Sequence, residues 1–78
     1  MYSENSSIKK ISELAFQHYQ NGNLKKAEML FKKILETVPN HFFSIFLLGT
    51  LSAQIKKFPI AKKLLKHAIK IKPNYKEA

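Results

Sequence analysis

The sequence predicts an all-α protein made of stacked helical hairpins. Three observations carry that expectation. The 78-residue chain matches itself when shifted by 34 places. Apolar residues recur at helical spacing on both sides of each break. The dipeptide Pro-Asn closes each stretch, at Pro39-Asn40 and Pro73-Asn74. The shift pairs Ile11 with Ile45, Leu14 with Leu48, Gln20 with Gln54 and Ala27 with Ala61. It also pairs Leu30 with Leu64, Lys32 with Lys66, and both residues of the Pro-Asn pair, all without a gap. Near matches lie between them: Ala15 with Gly49, Phe31 with Leu65, Leu35 with Ile69. A fixed period of this length marks a fold in which one supersecondary unit stacks on the next.

Taken in order, residues 1–7 form a polar tail. Ile8, Ile11, Leu14, Ala15 and His18 follow one face of a first helix. Asn21-Gly22-Asn23 breaks it. Gly22 can take the left-handed conformation that ends a helix, and Asn23 can cap the next one. Leu24, Ala27, Leu30, Phe31, Ile34 and Leu35 then mark a second helix, which Pro39 closes. A third helix runs from about His41 to Ile55. In the following break, Lys56-Lys57-Phe58-Pro59, a lysine replaces the glycine at some conformational cost. Pro59 suits a first helical turn, where its missing N–H does no harm. A fourth helix runs from Phe58 to Ile71. After Pro73, Asn74 and Glu77 resemble a capping box around the start of a further helix, Tyr75 to Ala78. The organisation is a tail at 1–7, units at 8–41 and 42–75, and the start of a third unit at 76–78.

Small residues occupy matching places on partner helices: Ala15 with Ala27, and Gly49 with Ala61. They let two helices approach to about 8–10 Å between axes, with Leu14, Leu30 and Phe31 filling the space around them. Here the chain resembles the tetratricopeptide repeat, similar to the N-terminal repeats of bacterial proteins of that type. The first unit has Leu14, Ala15, Gly22, Ala27, Phe31 and Pro39 at the motif's positions, and the second has Leu48, Gly49, Ala61, Ala68 and Pro73. Ile11 and Ile45 stand where the motif prefers Trp, and His18 and Ser52 where it prefers Tyr. The resemblance spans residues 8–78. It implies antiparallel hairpins stacked as an α-solenoid, a fragment of a right-handed superhelix.

In such an array each unit buries its face on the next. The third helix is apolar nearly all round, with Phe42, Phe43, Ile45, Phe46, Leu47, Leu48 and Leu51, and so expects neighbours on nearly every side. The ending therefore implies a fragment of a longer array, or self-association through an uncapped end.

The resemblance also implies a function: a scaffold that holds an extended peptide or a partner's helix in a concave groove lined by the first helix of each unit. By position the groove residues are Lys9, Ser12, Phe16, Tyr19 and Gln20, with Phe43, Phe46, Thr50, Ala53 and Gln54 from the second unit. Phe43 and Phe46 can equally pack on a neighbouring helix. Family members that clamp a C-terminal carboxylate use Lys and Asn at places held here by Ser12, Phe16 and Leu47, so that specialised use is not expected. The run from Leu14 to Leu35, followed by FLLGTLSAQ, also resembles the repeats that precede O-linked N-acetylglucosamine transferase-like and sulfotransferase-linked domains. There the array would present acceptor substrates. Glu13 and Leu47 stand where some such arrays carry an asparagine ladder.

Charge offers a third reading. Fourteen Lys oppose five Glu, a net charge of +9, with no Arg. No acidic residue occurs between Thr37 and Lys76. Lys62, Lys66 and Lys70, with Lys63 beside them, form a basic face on the last helix. That face would suit nucleic acid or another anionic partner. Arginine for bidentate contacts is missing, and no aromatics interleave with the lysines to stack bases, so a solvated outer face is the alternative.

Catalytic chemistry is not expected. His18, His41 and His67 fall on separate elements at no metal-ligand spacing. Ser12 and Ser52 have no base and orienting group in sequence reach. Gly22 and Gly49 have structural explanations and form no phosphate loop. The reading includes no cofactor and no metal. There is no Cys and thus no disulfide. The polar start is no secretory signal, and FFSIFLL is too short to cross a bilayer. A soluble, cytoplasmic chain is expected.

Overall fold

The structure, a computed structural model, describes the backbone of residues 2–72 and the side chains of residues 7–72. It is all-helical over those residues, with four packed α-helices: α1 (Tyr2–Gln20), α2 (Leu24–Thr37), α3 (Phe42–Gln54) and α4 (Phe58–Ile71). The turn expected at 74–78, with its capping residues Asn74 and Glu77, lies outside the described residues. Helix α1 begins at Tyr2, so residues 2–7, expected as a tail, continue the first helix. Nothing in Tyr2 to Ser7 breaks a helix: the segment has neither Gly nor Pro.

The two breaks are built alike. Gly22 has φ 83°, and Lys56, 34 residues on, has φ 66°. The Asn23 N–H donates to the His18 carbonyl at 2.8 Å and the Gly22 N–H to that of Tyr19 at 3.2 Å. The same pair recurs as Lys57 to Ser52 at 2.8 Å and Lys56 to Ala53 at 3.0 Å. Both are Schellman closures, in which a left-handed residue turns two orphan carbonyls onto the N–H groups beyond. The far ends repeat as well: Val38 and Lys72 cap α2 and α4 with φ,ψ of −127°,85° and −133°,84°. The 34-residue period seen in side-chain types is thus also a period of the backbone.

Two expected details differ. Asn23 makes no side-chain cap for α2. Its amide instead donates back to His18 Nδ1 at 3.3 Å, because the Schellman turn brings those two residues together. Leu14, expected to fill the core, is 46% exposed, whereas its counterpart Leu48 is 4% exposed. The reason is position. Helix α3 packs on both α2 and α4, while the main packing of α1 is on α2. The same side of the repeat is therefore covered in one unit and open in the other.

The core runs across both units. Ala15, Ala27, Phe31, Ile34, Leu47, Leu48 and Leu51 form one buried cluster. Ala15 and Ala27 are fully buried, as the small-residue contact requires. A Cβ on Gly49 would lie 2.9 Å from Leu65 Cδ2 and 3.2 Å from Leu64 Cβ, so α4 packs closely on α3 at this glycine. Among the described residues no helix is long and apolar enough to cross a membrane.

Candidate functional site

Helices α1 and α3 meet through aromatic rings. Phe16 on α1 lies 5.6 Å from Phe43 on α3, centroid to centroid, and Tyr19 stacks 6.2 Å from Phe16 on its own helix. Phe31 of α2 supports Phe43 edge-on at 6.4 Å. Separations of this kind are those at which tilted and offset rings attract beyond simple burial. Gln54 Nε2 donates to Tyr19 Oη at 3.2 Å, tying the last turn of α3 to that of α1. Six of the expected groove residues thus come together: Phe16, Tyr19, Phe43 and Gln54 by direct contact, and Lys9 and Ser12 through the cavity that Phe16 and Phe43 also line.

That cavity is shallow, about 570 Å³, and lies between the middle of α1 and the turn into α3. Lys9, Ser12, Phe16 and Phe43 line it, together with Ile8, Glu13, Val38 and His41. Position on α1 alone could have suggested Ile8 and Glu13. Val38 and His41 come from the turn after α2, which the expectation left out. Phe43 remains 39% exposed despite its ring contacts, so it offers a face to the surface.

Other expected groove residues behave differently. Phe46 does not join the Phe16–Phe43 group. It stacks on Phe42 at 5.8 Å, four residues back, and Lys72 Nζ sits 5.0 Å over the Phe42 ring. The Thr50 hydroxyl donates to the Phe46 carbonyl at 2.9 Å, so its proton is committed to its own helix. Ala53 is half-buried and Gln20 is exposed.

His41 holds α3 in place. Its Nδ1 accepts from the Ser44 backbone N–H at 3.3 Å and from Ser44 Oγ at 2.8 Å. This caps the helix and satisfies the hydroxyl of a fully buried serine. Burial pushes the His41 imidazole below its ordinary pKa. Only a ring unprotonated at Nδ1 can accept those bonds.

Lys62, Lys63, Lys66 and Lys70 are all exposed on α4. Lys63, Lys66 and Lys70 line a second shallow depression of about 740 Å³ with Leu64, His67 and Ile69. His67 Nε2 donates to Asn40 Oδ1 at 3.2 Å. Among the described residues, no group of three or more His, Cys, Asp or Glu side chains is placed to hold a metal ion. Compared with protein-family models, curated proteins and solved structures, the chain finds no match.

Proposed function

We propose that this chain is a protein-interaction module of the tetratricopeptide type, which binds an extended peptide or a partner's helix along the surface shared by α1 and α3. In this reading the four helices are two stacked repeats of a right-handed α-solenoid, acting as a non-catalytic cytoplasmic scaffold. The observation that supports it is the aromatic platform of Phe16, Tyr19 and Phe43 beside an open cavity, with Gln54 bracing Tyr19 from the neighbouring unit. Aromatic side chains held by a rigid frame bury large area at little entropic cost, the character of binding hot spots. Lys9 and Glu13 at the cavity's edge supply one charge of each sign to orient a ligand.

Selection of binders from a phage-displayed random peptide library tests the reading. Selected peptides should perturb the backbone amide signals of Ile8, Ser12, Phe16, Tyr19 and Phe43. Phe16→Ala should weaken them by about tenfold, with melting followed in parallel to separate binding from folding. Perturbations confined to α4, or no selected peptide, would remove the reading.

A further inference from the structure

The seam between α2 and α3 is a template for what can cover α4. On α2, Leu24, Phe31 and Leu35 lie along one side, seven and four residues apart: Phe31 is fully buried with its ring 6.4 Å from Phe43 of α3, and the other two are half-buried against the core that α3 shares. At the edge of that row Glu28 reaches the next unit, with its carboxylate 3.4 Å from Lys57 Nζ. The corresponding row on α4 is Phe58, Leu65 and Ile69, with Lys62 in the place of Glu28. Phe58 is 60% and Ile69 54% exposed. Leu65 between them is half-buried and lies against Gly49 of α3, so the row is open at its two ends, and the charge at its edge is reversed.

Charge decides among the possible occupants from other molecules. Helix α4 carries no acidic residue, and Lys62, Lys63, Lys66 and Lys70 all face solvent. Two copies meeting through α4 would bring these lysines together without a counter-charge. A second copy stacked as α3 stacks on α2 would present Lys9, Lys10, Glu13 and Gln17 of α1, which occupy the places of Phe43, Ser44, Leu47 and Leu51. Those four are exposed and polar, so they cannot bury the row. Nucleic acid would leave Ile69 without an apolar partner, since Phe58 and Ile69 lie about 16 Å apart along α4 and only Phe58 of the row has a ring to stack.

We propose that the Phe58–Leu65–Ile69 row of α4 docks an amphipathic helix of a separate protein, with acidic side chains beside its apolar stripe that pair with Lys62 and Lys66. The helix lies on α4 as α3 lies on α2, and its carboxylates reproduce the Glu28–Lys57 contact with the signs exchanged. This surface is separate from the α1–α3 groove and does not depend on it.

The test uses two labelled helical model peptides with the same leucine stripe, one flanked by Glu and the other by Lys, titrated into the full chain by fluorescence anisotropy. The Glu peptide should bind at least tenfold more tightly and perturb the amides of Phe58, Lys62, Leu65 and Ile69. Its affinity should fall as salt rises. Lys62→Glu should reduce the preference for the Glu peptide, and Ile69→Asp should weaken both peptides while leaving the melting curve near that of the parent. Equal binding of the two peptides overturns the proposal. So does a perturbation map on α1 and α3, which would leave the groove reading standing. Concentration-dependent dimers that Ile69→Asp abolishes would assign the row to a second copy and overturn it too, as would poly(U) RNA binding to α4 where neither peptide binds.

Discussion

Lys56 and Gly22 hold equivalent places with nearly the same positive φ, and only one of them is suited to it. A side chain in the left-handed region costs roughly 1–2 kcal/mol relative to glycine. Part of that gain is offset by the greater freedom of glycine in the unfolded chain. Lys56→Gly should therefore stabilise the fold by about 0.5–1 kcal/mol, and Gly22→Ala should destabilise it by about 1 kcal/mol, both read from urea midpoints. Gly22 has open space where a Cβ would go, so the loss there reports backbone conformation alone. Ser52 raises a different issue. Its hydroxyl is buried and has no hydrogen-bond partner. Leaving such a group unpaired costs about 1–3 kcal/mol. Ser52→Ala should raise the midpoint, by about 1 kcal/mol once the small lost volume is counted. A fall instead would mean that the hydroxyl has a partner in solution.

At the scale of elements, α3 is the most confined helix, and its start depends on a titratable cap. Because burial lowers the His41 pKa, the folded protein binds that proton less tightly than the unfolded chain. The cap's contribution is complete above the unfolded value of about 6.5. It is lost as the pH falls from there through the lower folded value. His41→Asn keeps a side-chain acceptor and removes the titration. Thermal midpoints should fall between about pH 7 and pH 5 in the parent and fall less in the variant. Glu28 acts in a separate, more acidic window. Burial alone would raise its pKa, but hydrogen bonds and charge from Lys32, at 3.3 Å, and from Lys57 outweigh burial and hold it below 4.5. Its stabilisation is present above that value and is lost as the pH falls further.

Across the whole molecule, one cluster joins the two units, so the halves should not melt separately. Leu51 on α3 is fully buried within it. Truncating such a leucine costs about 2–5 kcal/mol, a large share of the stability of a small domain. Leu51→Ala should lower the unfolding free energy by that amount. It should also speed hydrogen exchange in α2 as well as in α3, while the unfolding transition stays single. Slower exchange retained in α2 would mean that the hairpins unfold independently.

Much of the architecture was legible in the chain. The four helices, the left-handed closures at residues 22 and 56, and the close approach at Gly49 all follow from local rules: period, turn chemistry and side-chain size. These rules operate within a few residues or repeat at a fixed distance, so sequence displays them directly. The candidate site was legible in part. Of the residues that the resemblance named for a groove, Phe16, Tyr19, Phe43 and Gln54 meet between α1 and α3. Phe46 and Thr50, named with them, turn to Phe42 and to their own helix, because a ring or hydroxyl takes the nearest good partner. Val38 and His41 joined the cavity only when the turn after α2 folded against α1.

What the sequence determined by itself is the unit: where each helix starts, turns and stops, because those choices depend on backbone conformation and neighbours in the chain. Only the tertiary structure decided that Leu14 is exposed while Leu48 is buried, that Glu28 meets Lys57, and that Phe58 and Ile69 stay open. Equivalent residues have the same local environment but different neighbours across space. Burial and charge pairing depend on those neighbours.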